Sequence, residues 1–134
     1  MKSTSFTLLS FSLLILFNIT WQTVLADGRP YTVKEGHKVD SDTYLGYKLY
    51  RNWCARCHGT FAQGLAAPSL TSSLKSLDRS SFIRIVSRGK KGKMGVMPAW
   101  QSNQEVMKGI DQIYSYLRAR TDGALGNVVP ELNK

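Results

Sequence analysis

Cys54-Ala55-Arg56-Cys57-His58 holds the densest reactive chemistry in the chain, and it uses the only two cysteines present. Two thiols three positions apart on one turn can each form a thioether to a porphyrin vinyl group. The imidazole that follows is then placed to ligate the iron from one side. The same spacing has other uses. A thiol–disulfide redox pair needs a βαβ context, and no alternation of strands and helices is visible. A closed zinc site wants four ligands, and His37 is the only donor of that kind left over. A disulfide across two residues would close a tight, strained loop. Covalent attachment of haem c is the reading with the fewest unmet requirements.

Iron with one histidine needs a ligand on its other face. A thioether is a soft neutral donor that favours Fe(II), raises the potential and closes the iron to added ligands, which suits electron transfer. Met94 and Met97 lie in one glycine-flanked loop. Met97 is favoured, because Pro98 restricts it to extended backbone and so holds it still. Met107 falls within a helical pattern and reads as core. The second nitrogen of His58 also needs a fixed partner, and the carbonyl of Pro68, ten residues on, is the candidate. An arrangement with a displaceable Met97 would instead be a haem enzyme or gas sensor. No distal histidine or arginine is recognisable near Met97 to serve one.

These groups need helices to position them. Asp40-Ser41-Asp42 can cap a helix running from Thr43 to Trp53 into the cysteines. Gly46, Tyr50 and Trp53 fall at i, i+4 and i+7, on one face. A glycine there costs about 1 kcal/mol in helix propensity, so its presence points to close approach by another helix backbone. The partner is a helix from Asn103 or Gln104 to Ala119, where Val106, Ile110, Ile113, Tyr114 and Leu117 recur at three- and four-residue steps. Arg118 and Arg120 at its end suit the helix dipole. Between these ends, a short helix is expected over Thr71–Leu77 and another over Arg79–Ser87, with Asp78 as its cap and Phe82, Ile85 and Val86 facing inward.

The chain has 134 residues, enough for one domain. Residues 1–26 read as a secretory signal: Lys2, an apolar run of about 14 residues, too short to span a bilayer, then Val24-Leu25-Ala26. Residues 27–39 read as an irregular arm, 40–120 as the folded domain and 121–134 as a tail. Removing residues 1–26 takes only Lys2 from a formal net charge of +9, leaving +8. Such an excess fits an acidic protein partner met by electrostatic steering. Nucleic acid is excluded on the expectation of export, and no membrane span remains after cleavage.

These residues resemble the class I cytochromes c. Gly46 and Tyr50 lie eight and four positions before Cys54. Ile113, Tyr116 and Leu117 fall in the final helix, and Ala67-Pro68-Ser69-Leu70 and Val96-Met97-Pro98-Ala99-Trp100 match the proline and methionine segments. The resemblance covers Asp40 to about Arg120. It implies an all-α cytochrome c fold, with N- and C-terminal helices packed together around one covalently bound haem c. Tyr31-Thr32-Val33-Lys34, Thr43-Tyr44-Leu45-Gly46-Tyr47 and the run from Ile110 to Gly126 are similar to a bacterial subgroup. Its members are associated with methanol metabolism and pyrroloquinoline-quinone (PQQ) alcohol dehydrogenases. That implies a periplasmic electron carrier, not an enzyme, with such a dehydrogenase as donor and a downstream cytochrome or oxidase as acceptor. The chain departs from the subgroup around Trp53 to Gln63 and is more basic at Lys90 to Met94.

Overall fold

The computed structural model describes residues 28–92 and 95–134; the expected signal over 1–26 and the alternative ligand Met94 lie outside the described residues. Helix α1 (Ser41–Trp53) begins where the sequence places its cap: the Asp40 carboxylate accepts from the Thr43 amide at 2.8 Å and from its hydroxyl at 2.9 Å. One turn, α2 (Ala55–His58), follows directly. Then come α3 (Leu70–Ser73) and α4 (Arg79–Arg88), the latter capped by Asp78 accepting from the Ser81 amide. Residues α5 (Gln104–Lys108) and α6 (Ile110–Thr121) complete the helices.

The expected long final helix is therefore two. Gly109 separates them at φ −103°, ψ 16°, and a Cβ there would overlap Cδ1 of Leu49 on α1. The break makes room for a side chain of the facing helix.

Helices α1 and α6 form the frame. At Gly46 an added Cβ would overlap the backbone carbonyl of Gln112, so the two backbones meet where the glycine stands. Below that contact Tyr116 meets the edge of Tyr47 at 5.5 Å and tilts against Tyr50 at 5.2 Å. Tyr50, Tyr116, Ile113 and Leu117 are buried with Leu74 and Val106, and this apolar burial is the main stabilising term.

The expectation of an all-α chain is corrected in detail: the protein is mostly helical, with five two-residue strands among the described residues. Strands β1 (Val33–Lys34) and β2 (Lys38–Val39) pair antiparallel, and β5 (Glu131–Leu132) lies parallel to β2, with Lys38 opposite Glu131. The arm read as irregular is thus a hairpin, turning at Glu35 and Gly36, both at positive φ, and the tail returns to it. His37 sits in that turn, its Nδ1 2.7 Å from the Glu35 carbonyl. Strands β3 (Lys90–Lys91) and β4 (Val96–Met97) pair antiparallel and carry the methionine segment. No described helix is long and apolar enough to cross a membrane.

Candidate functional site

The last turn of α1 delivers Cys54, whose amide still donates to the Tyr50 carbonyl at 2.9 Å. From there the chain winds tightly: the amides of Cys57 and His58 both donate to the Cys54 carbonyl, at 3.1 and 3.0 Å. The two cysteines form no disulfide with each other; Cys54 is half-buried and Cys57 exposed. Burial pushes the Cys54 thiol up to about 12, and Cys57 beside it adds to the shift.

His58 is buried, and its Nδ1 lies 2.8 Å from the Pro68 carbonyl. A carbonyl only accepts, so Nδ1 carries the proton and Nε2 presents its lone pair. The loop between these residues is tied from several sides. The Gly64 amide donates to the His58 carbonyl at 2.8 Å and the Ala67 amide to that of Cys57 at 2.9 Å. The buried Tyr50 hydroxyl donates to the Gly59 carbonyl. Sequence reading saw Tyr50 only as an aromatic on a helix face; a side-chain bond to a backbone carbonyl has no sequence signature.

Met97 comes from β4 and lines the same cavity as Cys54 and His58. Leu70, Leu74, Leu77, Phe82, Ile85, Val86, Ile113 and Leu117 complete its walls, which contain no formally charged side chain. The methionine segment is held to the end of α4. The amides of Trp100 and Gln101 donate to the carbonyls of Val86 and Ser87, at 3.0 and 3.1 Å. At Gly89 (φ 72°) a Cβ would crowd the backbone of Met97, Pro98 and Ala99, so the glycine lets that segment cross close by. Trp100 in turn meets Trp53 edge-on at 5.7 Å, joining the methionine segment to the helix that carries Cys54.

Two thiols on one turn, an imidazole with a fixed tautomer, a thioether and otherwise apolar walls fit a porphyrin with two thioether bonds and two axial ligands. Outside the cavity, Arg56, Arg88, Lys90 and Lys91 are exposed, as are Leu65 and Val96.

Arg120 stands in the last turn of α6, as the sequence places it, but it is also buried, with its guanidinium bonded to the Phe61 carbonyl and to the tail, which sequence reading did not foresee. The signal was available: Arg120 follows Ile113 by seven positions and Tyr116 by four, on the buried stripe.

A family model described as cytochrome c oxidase, cbb3-type, subunit III matches residues 42–117. Cytochrome c-555 of Methylococcus capsulatus is 39% identical over 89 residues, 65% of this chain and 69% of that one. Cytochrome c-553I of Paracoccus denitrificans is 36% identical over 113 residues, 81% of this chain and 50% of its own length. Among solved structures, the c-type cytochrome XoxG from Methylobacterium extorquens AM1 superposes with a TM-score of 0.71 at 41% identity. That likeness covers 75% of this chain and 64% of the other.

Proposed function

The chain belongs to this cytochrome c family, as a class I c-type cytochrome with covalently bound haem c, and we propose that it serves methanol-type alcohol oxidation. In this reading it accepts single electrons in the periplasm from an acidic PQQ-dependent alcohol dehydrogenase. It passes them to a cytochrome or oxidase toward the respiratory chain. Likeness to the M. extorquens cytochrome, and the resemblance of Ile110 to Gly126 to the methanol-linked subgroup, support the choice of donor.

The observation that carries the proposed site is that Met97 and His58 line one apolar cavity with Cys54. Cys54 and Cys57 would hold the porphyrin, and His58 and Met97 the iron. Bound there, haem c supplies an iron that cycles between Fe(II) and Fe(III) one electron at a time. The carbonyl of Pro68 keeps the His58 proton on Nδ1. Leu74, Phe82, Ile113 and Leu117 keep water out, and a ligand set that stays in place leaves little to rearrange as the charge changes.

Intact mass and visible spectra of the purified protein test this, with Met97→Ala as the second arm. The wild type should show a mass increment of one haem, sharp reduced bands and a weak near-infrared sulfur-to-iron band. Met97→Ala should lose that band and bind CO when reduced. A band that survives in Met97→Ala would move the ligand to another methionine, and CO binding by the wild type would favour a sensor or haem enzyme.

Arg56, Arg88, Lys90, Lys91 and Lys93, the last outside the described residues, make the docking face in this reading, and Leu65 and Val96 are exposed as well. Electron transfer from an acidic dehydrogenase should slow at least tenfold, roughly, between 0.01 and 0.1 M salt, where the Debye length shrinks from about 30 to 10 Å. A salt-independent rate constant in stopped flow would remove the electrostatic docking.

A further inference from the structure

Among the described residues Arg120 is the one buried basic side chain of the lysine or arginine kind, at 8% exposure. Its five N–H donors are all used. Nε and Nη2 donate to the Phe61 carbonyl at 3.2 and 2.8 Å. Nη1 donates to the carbonyls of Leu125, at 3.0 Å, and Gly126, and Nη2 also reaches Oδ1 of Asn127. The Phe61 ring lies under the guanidinium, 5.5 Å from centroid to carbon.

None of these acceptors is charged, and among the described residues no carboxylate pairs with Arg120. The phenols near it, Tyr50 and Tyr116, are both pushed up by burial, Tyr116 to about 12, and stay neutral. Burial also lowers the guanidinium, but an arginine remains protonated. The result is a permanent positive charge enclosed in protein with no carboxylate paired to it among the described residues. Burying a cation is costly even when all its donors are bonded. Its position gives the charge a further consequence: Phe61 is three residues beyond His58, so at most about 11 Å of extended backbone separates them.

Resting on the reading of the chain as a haem electron carrier, we propose that Arg120 is a positioning and potential-setting residue. Its enclosed charge, held beside the loop that follows His58, favours Fe(II), which bears one positive charge fewer than Fe(III). One electron enters from the donor and no proton moves, because Arg120 keeps its proton in both states.

Two substitutions separate charge from clasp. Asn127→Asp puts a carboxylate where an amide oxygen already accepts from Nη2, so the bond stays and the charge is offset. Arg120→Lys keeps the charge and gives up the five-bond fork. Both are compared with wild type as haem-loaded proteins, by redox titration at low ionic strength and by thermal melts.

At the wild-type midpoint, Asn127→Asp should raise the Fe(III)/Fe(II) ratio roughly threefold without lowering the melt. Arg120→Lys should melt lower while keeping the ratio within roughly twofold. An unmoved ratio in haem-loaded Asn127→Asp overturns the proposal and leaves Arg120 a clasp for the tail. A wild type that carries no haem overturns both this and the carrier reading.

Discussion

Gly46→Ala should lower the unfolding free energy of the haem-loaded protein by about 1–3 kcal/mol, the overpacking penalty for a site with no room to yield. Alanine would gain about 1 kcal/mol in an unconstrained helix, so the expected loss runs against intrinsic propensity. The reason is the identity of the atom in the way. A Cβ at Gly46 meets the backbone carbonyl of Gln112, which cannot swing aside as a side chain would. Either α1 and α6 separate, loosening Tyr47 and Tyr50 against Tyr116, or the carbonyl tilts off its helix. Denaturant titration measures the effect. Gly95→Ala serves as the control, since open space surrounds its Cβ position, and should stay within about 0.5 kcal/mol. Equal midpoints for the two variants would mean that the helices do not meet at Gly46.

The second large effect is loss of the cofactor. Cys54→Ser/Cys57→Ser, unable to attach haem, should lose its cooperative melt. Leu70, Leu74, Leu77, Phe82, Ile85, Val86, Ile113 and Leu117 all face the cavity. Without the porphyrin they lose the apolar surface that it would lay against them. Full burial of such a side chain contributes about 1.5–3 kcal/mol, so losing even a third of that at eight positions removes about 4–8 kcal/mol. A domain of this size has roughly 5–15 kcal/mol in all. Circular dichroism should show a broad transition and dye binding should report exposed apolar surface. A sharp melt within a few degrees of the haem-loaded protein would show that the chain supports its own core.

What the sequence made legible is what has a local cause. Asp40 and Asp78 announce two helix starts because a cap is an interaction over three residues. Gly46 announces a helix contact because it is an expensive choice on an apolar face. Pro68 could be named because a histidine in that role needs an acceptor, and its carbonyl lies 2.8 Å from His58 Nδ1. The Gly109 break was hidden because the apolar stripe runs through it without a change of phase. Two-residue strands contain no period to detect, so neither sheet was visible. The buried bonding of Arg120 was not visible because its acceptors lie far away in sequence, at Phe61 and beyond the helix.

The parallel pairing of β2 with β5 has a consequence for the order of events. Lys38 faces Glu131, so the ladder closes a loop of roughly ninety residues, whose entropy cost grows to about 4 kcal/mol. Backbone bonds such as those from Glu131 to His37 and from Asn133 to Val39 contribute only about 0.5–1.5 kcal/mol each, so a ladder this short is a weak match for that cost. The sheet must therefore wait until the helices have already drawn its ends together. It is a seal on a finished molecule, the last seam to close and the first to open.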